Sequence, residues 1–427
     1  MNIIIAIEFY RKGGVERTII SLIPYLLNYV NKLVIVLPAQ ETDYFRSLLP
    51  QSDKLIYETF ALTPKSSESK LFNSLFIVTK LFSKLKQPKF YATIYYRIER
   101  ARISARLNQL TRQYRATHCL YPIINRLQPP KINIPLSGIS HDLFWHFAPL
   151  VYSQSFIDSY DISLRSWLEK ADIVFTVSQK TKEDILKIFP SAKYQEKLKP
   201  VPWAGLMEQN EYRVIAERVN PIFYFPSSFG IYKDHLTVIK ATIKLVKKDI
   251  KKFKIVFIGK ETDSLVDGKL RLTQQLSTKE YQDYLQECCE VYENNKEIIS
   301  THIEGLGYCD YERVEHYYRT CSCVLMPSQY EGFGLAVSEA LMWGIPVIAS
   351  ELDVYKEQVQ LYQSEDRIVF YTPGNADELA QCMENFLNNP MPRLSGEEAR
   401  EKMALWTWDD VARKYVSVLQ QTSENAG

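Results

Sequence analysis

The chain has 427 residues, which is enough for two or three domains that each bury a core of their own. Its composition, 46% hydrophobic and 24% charged with a net charge of +2, is that of a soluble globular protein. No apolar run reaches the ~20 residues that a membrane-spanning helix needs. The seven cysteines have neither zinc-binding nor redox spacing, which argues against both kinds of site and indicates free thiols in a reducing cytoplasm.

Short apolar runs alternate with amphipathic helical patterns along almost the whole chain, which is typical of parallel α/β units. The first residues lack the basic start and cleavage site of a signal peptide and predict a buried strand. In the first half we predict strands at 3–9, 33–37, 55–60, 118–121, 134–140 and 173–177. Helices are predicted after Gly13-Gly14 and at 71–85, 97–114, 157–170 and 181–189.

The alternation stops near 198–221, where prolines and a glycine flank a short polar stretch, and then resumes. The second half predicts strands at 222–225, 254–258, 297–302, 323–326 and 346–349. It predicts helices at 235–248, 279–292, 311–318, 335–343, 376–387 and 408–419. We therefore expect two Rossmann-like, doubly wound α/β domains, 1–205 and 206–405, with a ligand cleft at the carboxyl ends of their strands.

Two glutamates stand out in the stretch PSQYEGFGLAVSEALMWGIPVIAS, which covers residues 327–350. Glu331 follows a predicted strand, and Glu339 is a single charge within an apolar helix. A buried, unpaired carboxylate costs several kcal/mol, so Glu339 has either a cationic partner in the protein or a ligand. Gly332 and Gly334 allow a tight bend that exposes backbone N–H groups at a helix start, and such a start binds phosphate.

This stretch resembles the signature of glycosyltransferase family 4, whose members are retaining, nucleotide-sugar-dependent enzymes with the two-domain GT-B fold. The resemblance implies that Glu331 contacts the donor sugar and that Glu339 receives the ribose hydroxyls. It also implies that donor sugar and phosphate are bound along Gly332, Phe333, Gly334 and Leu335. The last helix of the family commonly crosses back to the first domain, which we expect of 406–427.

Shorter segments resemble other parts of the family's site. Lys233, in YFPSSFGIYKDHLTVIKA (224–241), would neutralise the donor diphosphate; many members carry an arginine before it, but this chain does not, so a second phosphate cation is unassigned. Tyr308 would lie against the nucleobase, or be a packing residue after a turn. Gly13-Gly14 would face the donor phosphate, or form only a tight turn. His141, in SGISHDLFWHF (137–147), would touch the donor sugar, or be structural.

Cleavage of a nucleotide sugar develops negative charge on the leaving diphosphate, which cations and N–H donors must stabilise. We assign this task to Lys233 and the helix-start amides, with His141 and Glu331 as the other catalytic residues. By analogy with retaining glycosidases Glu331 could be a nucleophile. We expect instead a front-face transfer in which a leaving phosphate oxygen accepts the acceptor's proton. No Asp-x-Asp motif occurs, so we predict neither a metal nor a cofactor.

Residues 61–120 carry 12 Lys or Arg against two Glu, a local charge of +10. Within them, KLFNSLFIVTKLFSKLK (70–86) alternates apolar residues with lysines, as a helix in an anionic membrane interface does. A core helix with a solvated basic face is the alternative. We predict a possible anionic membrane contact through 70–115 and no nucleic-acid partner, because no nucleic-acid-binding motif accompanies the charge.

Together these observations predict transfer of a hexose from a GDP- or UDP-sugar to a glycan or lipid-linked acceptor in polysaccharide or cell-envelope biosynthesis. Resemblance to mannosyltransferase-like members favours mannose from a guanosine donor. A GT-B nucleotide-sugar epimerase and a non-catalytic nucleotide- or glycan-binding relative are the alternatives. The predicted location is the cytoplasm, at the inner face of the cytoplasmic membrane if the basic segment docks there.

Overall fold

The computed structural model describes residues 1–8, 13–61, 88–147, 151–206, 220–270 and 278–424, with the backbone alone at 88–95 and 423–424. These residues form two parallel α/β domains, as the alternating pattern predicts. The predicted helix at 71–85 lies outside the described residues. No helix within the described ranges is long and apolar enough to cross a membrane.

The first domain is built on a parallel sheet in the order β3-β2-β1-β4-β5-β6-β7 among the described residues. The strands are β1 Asn2–Ala6, β2 Lys32–Leu37, β3 Leu55–Thr59, β4 His118–Tyr121, β5 Leu136–Ser140, β6 Ile173–Thr176 and β7 Leu198–Pro200. The helices are α1 Gly14–Tyr29, α2 Thr42–Leu48, α3 Pro88–Tyr114, α4 Phe144–Phe147, α5 Gln154–Lys170, α6 Gln179–Ile188 and α7 Ala192–Lys197. Its central strands read as continuous apolar runs because helices cover both faces of the sheet.

The second domain repeats this design with a parallel sheet in the order β10-β9-β8-β11-β12-β13. The strands are β8 Ile222–Pro226, β9 Lys254–Ile258, β10 Ile303–Gly305, β11 Cys323–Met326, β12 Val347–Ser350 and β13 Ile368–Tyr371. The helices up to β11 are α8 His235–Lys247, α9 Thr262–Val266, α10 Lys279–Asn294, α11 Lys296–His302 and α12 Tyr311–Thr320. Those after it are α13 Leu335–Met342, α14 Asp353–Leu361, α15 Ala376–Asn388, α16 Gly396–Met403 and α17 Trp408–Glu424.

One predicted strand is wrong. Residues 297–302 belong to helix α11, and the strand of this unit, β10, follows at Ile303–Gly305. Ile299 and His302 are buried three positions apart, which is the spacing of one helical face. The run is too short for its periodicity to separate a helix from a strand. The short edge strand β7, the strand β13 and the helices α2, α4, α7, α9, α14 and α16 were not predicted.

The last helix, α17, packs against α1 of the first domain. Its apolar face joins the core cluster that contains the first-domain strands. The Tyr29 hydroxyl donates to Asp409 Oδ2 at 2.5 Å, and the Trp408 indole N–H donates to the Gly205 carbonyl at 2.7 Å. The predicted boundary at 205/206 stays a prediction, with residues 207–219 outside those described.

Candidate functional site

The loop after β11 lies directly on the first domain. The Gly332 carbonyl accepts hydrogen bonds from Ser178 Oγ at 2.7 Å and Thr181 Oγ1 at 3.1 Å, at the start of α6. A Cβ atom at Gly332 would lie 1.9 Å from the His141 carbonyl oxygen, so no other residue fits there. The structure therefore brings together the predicted site residues Gly332 and His141 across the domain junction.

Helix α13 begins at a glycine that cannot be replaced without strain. Gly334 has φ +80°, and a Cβ on it would lie 2.4 Å from Tyr355 Cε1. Phe333, beside it, is buried and meets Trp203 edge-on at a centroid distance of 6.2 Å. The Phe333 ring thus belongs to the core, and only the backbone of this turn is left to contact a ligand.

Lys233 and Glu331 form an ion pair next to the turn at Gly332. Lys233 Nζ lies 2.6 Å from Glu331 Oε1, which also accepts from Ser328 Oγ at 2.8 Å. Lys233 ends a 3₁₀ turn, Ile231–Lys233, and the next residue, Asp234, caps α8 from a left-handed conformation. Gln329 Nε2 donates to Asp234 Oδ2 at 3.0 Å, which ties the two loops together. The predicted phosphate cation and the predicted sugar-binding carboxylate are therefore neighbours.

Asp142 is a site residue that the sequence analysis missed. A Cβ on Gly332 would lie 2.8 Å from its Cβ, and its Oδ1 is buried without a hydrogen-bond partner among the described residues. Burial raises the pKa of Asp142 to about 6; Lys233 opposes this shift and Glu331 adds to it. The sequence signal was its place beside His141 at the carboxyl end of β5. Asp142 thus adds a second carboxylate, from the opposite domain, to the Lys233–Glu331 pair.

His141 faces its own domain. Its imidazole Nε2 donates to the Pro122 carbonyl at 2.6 Å, and its ring packs on Trp203 at a centroid distance of 4.9 Å. Burial lowers the pKa of His141 to about 4, so the ring is neutral at pH 7. Its Nδ1 is buried without a partner among the described residues. The backbone of His141 lies at the domain junction, whereas its ring packs inside the first domain.

Glu339 has a cationic partner in the protein, which is one of the two alternatives that the sequence predicted. It is buried on α13, and its Oε1 forms an ion pair with Arg17 Nη2 of the first domain at 2.9 Å. Its Oε2 accepts from the Tyr318 hydroxyl at 2.6 Å. Arg17 also lies over the Tyr311 ring, 5.0 Å from its centroid. The sequence had singled out Glu339 but not Arg17 or Tyr318.

The predicted glycine pair starts α1 opposite the start of α13. Gly13 has φ +151°, and its N–H donates to Glu16 Oε2 at 3.3 Å. A Cβ on Gly14 would lie 3.3 Å from Leu335 Cδ1. The amino-terminal ends of two helices from different domains therefore meet, and each brings a positive dipole end to the junction.

Tyr308 lies at the surface. It follows Gly307, which has φ +66° and whose N–H donates to Thr262 Oγ1 at 3.1 Å. Tyr308 is 72% exposed, so it is not part of the core, and its place against a nucleobase stays a prediction. Within the described ranges no cluster of three or more His, Cys, Asp or Glu side chains could hold a metal ion.

Residues 209–404 match the family model "Glycosyl transferases group 1". This match covers most of the second domain and about 46% of the chain. An uncharacterised glycosyltransferase of Methanocaldococcus jannaschii is 22% identical over 261 residues, 60% of this chain and 61% of that protein. The chain thus spans about three fifths of the length of this curated relative.

A second curated relative matches a shorter stretch. The MMP α-(1→4)-mannosyltransferase of Mycolicibacterium hassiacum is 33% identical over 98 residues, which are 22% of this chain and 23% of that protein.

Solved glycosyltransferase structures share the fold over nearly the full chain. The Anabaena protein HepE, solved with UDP and glucose, aligns with a TM-score of 0.61 at 14% identity, over 98% of this chain and 99% of that one. The sucrose-phosphate synthase of Thermosynechococcus elongatus aligns with a TM-score of 0.61 at 17% identity, over 99% of each chain. The predicted GT-B fold, with two Rossmann-like domains, is confirmed.

Proposed function

We propose that this protein is a retaining glycosyltransferase of family 4 that moves a hexose from a nucleoside-diphosphate sugar to a glycan or lipid-linked acceptor. The observation that carries the proposal is the Lys233–Glu331 pair, 2.6 Å apart, at the junction of the two domains. Asp142 of the first domain and the start of α13 lie at the same junction. A cation, two carboxylates and helix-start amides are the groups that a nucleotide sugar requires.

The relatives support a nucleotide-sugar donor. HepE was solved with UDP and glucose and, in a further structure, with UDP-glucose, and the Mycolicibacterium relative is a mannosyltransferase. We propose a UDP- or GDP-hexose as the donor, and polysaccharide or cell-envelope synthesis as the pathway. The nucleobase would lie near Tyr308, which is exposed and so open to a ligand.

In the proposed reaction, Lys233 and the N–H groups at the starts of α1 and α13 stabilise the charge that grows on the leaving diphosphate. These N–H groups belong to the turns around Gly13-Gly14 and Gly334-Leu335. Lys233 would exchange its bond to Glu331 for the diphosphate, and Glu331 would then accept hydrogen bonds from the sugar hydroxyls.

The acceptor hydroxyl attacks the anomeric carbon on the face that the diphosphate leaves, and a leaving phosphate oxygen takes the acceptor's proton. The bond from the anomeric carbon to the diphosphate breaks as the bond to the acceptor oxygen forms. The His141 ring lies behind the junction, so a contact with the sugar requires the ring to turn from its place against Trp203. Its Nδ1, which has no partner among the described residues, would then accept a hydrogen bond from the sugar.

The membrane contact is a proposal that rests on the basic segment. Residues 70–86 lie outside the described part of the chain. In α3, two arginines of the segment turn inward: Arg100 pairs with Glu8 at 2.5 Å, and Arg106 pairs with Glu58 at 2.7 Å. These two charges are therefore neutralised within the fold, and a peripheral contact with the inner face of the cytoplasmic membrane would depend on the remaining lysines and arginines.

Thermal unfolding of the purified protein with UDP-, GDP- and ADP-hexoses tests the donor site, because a ligand that binds only the folded state stabilises it. At a donor concentration of 100 Kd we expect the midpoint to rise by roughly 5–10 °C for one nucleotide class. The isosteric variant Glu339→Gln should lose most of this shift, since it removes the charge that would hold the ribose hydroxyls.

No shift with any nucleotide sugar would contradict the donor site. A shift accompanied by conversion of the donor to another free nucleotide sugar would favour an epimerase. A shift without any turnover, in the presence of cell-envelope glycans and lipid extracts, would favour a non-catalytic binding protein.

A further inference from the structure

Arg17 is a cation at the domain junction that has no role yet in the proposed reaction. It lies on α1, three residues after Gly14, and reaches across the junction to Glu339. Its side chain is 32% exposed, whereas that of Glu339 is 5% exposed. A guanidinium stays charged at any pH at which the protein folds and has five N–H donors. A permanent, partly solvated positive charge therefore lies next to the carboxylate proposed to hold the ribose.

Both oxygens of that carboxylate are occupied in the structure. Oε1 contacts Arg17, and Oε2 accepts from the Tyr318 hydroxyl. The Glu339 side chain is only 5% exposed, so a ribose diol reaches its carboxylate only if one of these partners moves aside. Tyr318 is fully buried in the second-domain core and lies edge-on to Tyr224, so its position is fixed by packing. Arg17, which is the more exposed and has the longer side chain, is the partner that can move.

The helix geometry defines where Arg17 can go. Gly14 and Leu335 nearly touch, so the starts of α1 and α13 face each other. Arg17 and Glu339 each lie about one turn further along their own helix, on the sides that meet. One helical turn is about 5.4 Å, which is within the reach of an arginine side chain. The Arg17 guanidinium can therefore turn from Glu339 toward the two helix starts, where a diphosphate would lie.

We propose that Arg17 is the second diphosphate-binding cation of the donor site, held on Glu339 until a ribose takes that carboxylate. The inference rests on the proposed function and adds to it a specificity residue from the first domain. Arg17 then parallels Lys233: each cation is paired with one of the two carboxylates in the structure and is exchanged onto phosphate as the nucleotide enters. The ligand that this arrangement selects is a ribose 5′-diphosphate, whichever base it carries.

Paired binding measurements on the whole protein test this role. Dissociation constants would be measured for UDP, GDP and ADP by calorimetry, and for uridine, guanosine and adenosine by ligand-observed NMR. For the diphosphate that the unaltered protein binds most tightly, Arg17→Ala should weaken binding about tenfold or more, as loss of a charged contact does. Binding of the matching nucleoside should not weaken, because Arg17 no longer competes for Glu339.

Two further variants make the result specific. Arg313→Ala removes an exposed arginine of α12 that stacks on Tyr317, and it should change neither affinity. If Arg17→Ala does not fold, Arg17→Lys keeps the charge but lacks the planar fork, and it should weaken the diphosphate and spare the nucleoside. The dependence of diphosphate affinity on salt concentration should also be shallower without Arg17.

Several results would overturn the inference. Equal loss of diphosphate and nucleoside affinity would show that Arg17 only ties the two domains together. Undiminished diphosphate affinity in the Arg17 variants, or an equal loss in Arg313→Ala, would show that phosphate does not depend on Arg17. If the unaltered protein binds no nucleoside diphosphate, the proposed donor site itself fails, and this outcome is distinct from a failure of Arg17 alone.

Discussion

At the level of single residues, Asp142 carries a charge that its surroundings disfavour. Burial raises its pKa to about 6, above the 3.8 of an unperturbed aspartate, and Glu331 adds to the shift although Lys233 opposes it. In the unfolded chain Asp142 loses its proton at lower pH than in the folded protein. The stability of the folded state therefore falls as pH rises from about 4 to about 6, and the full cost is present above pH 6.

Asp142→Asn should accordingly stabilise the protein at high pH. We expect the free energy of unfolding at pH 8 to rise by about 1–3 kcal/mol. The gain at pH 4 should be much smaller, because the aspartate is then protonated in the folded protein and about half protonated in the unfolded chain. Urea denaturation at the two pH values measures the difference. Asp158→Asn, at an exposed position on α5, is the matched control and should show no such pH dependence. An equal effect of Asp142→Asn at pH 4 and pH 8 would refute the assigned cause.

The sequence could identify the two glutamates of the site but not their partners. Glu339 stands out as the single charge of an apolar helix, and Glu331 as a carboxylate in a glycine-rich turn. Arg17 comes from the other domain, near the start of the chain, so nothing local to Glu339 predicts it. The orientation of His141 was equally inaccessible, because a sequence shows that a histidine ends a strand but not that its ring turns toward Pro122.

At the level of elements, the start of α13 is the most constrained part of the site. Gly334 adopts a left-handed conformation, and Tyr355 of α14 fills the space that a side chain would need. The Gln358 amide donates to the Phe333 and Gly334 carbonyls from the same helix. Helix α14, which the sequence analysis did not predict, thus fixes the turn whose N–H groups would face the donor.

Gly334→Ala should therefore destabilise the second domain. The left-handed backbone and the contact with Tyr355 together should lower the free energy of unfolding by about 1–3 kcal/mol or more. Gly230→Ala is the control, because its backbone is extended and a Cβ there meets other atoms only at 3.8 Å. Chemical denaturation of both variants measures the contrast. A Gly334→Ala protein as stable as Gly230→Ala would mean that this turn is not held as described.

Helices and strands could be predicted from the sequence where the apolar pattern was long, and the predictions were wrong or missing where it was short. The strands at the centre of each sheet were predicted to within a few residues, because buried parallel strands are apolar on both faces. The run 297–302 failed because a helix of seven residues shows too few turns for its period to be read. The edge strand β7 has three residues and two of its side chains are half-buried, so it gave no signal.

At the level of the whole molecule, the site exists only where the two domains touch. Beyond the contacts of Gly332, the Tyr330 hydroxyl accepts from the Leu143 N–H at 2.9 Å, and the Tyr330 ring stacks on Phe147 at 4.7 Å. Glu357 of α14 accepts from the N–H groups of Gln179 and Lys180 at the start of α6. The repeated α/β pattern predicted two domains with a cleft, but the contacts that close it join residues far apart in sequence.

The Lys233–Glu331 pair is proposed to support transfer of a sugar from its nucleotide with retention of configuration. Proton NMR of the purified protein, incubated with the donor that stabilises it most, follows both loss of the donor and the anomeric configuration of the transferred or released sugar. We predict that the first product keeps the configuration of the donor. Glu331→Gln should slow donor loss by about 100-fold or more, as removal of one preorganised group does. A product of inverted configuration, or turnover by Glu331→Gln at nearly the unaltered rate, would contradict the account.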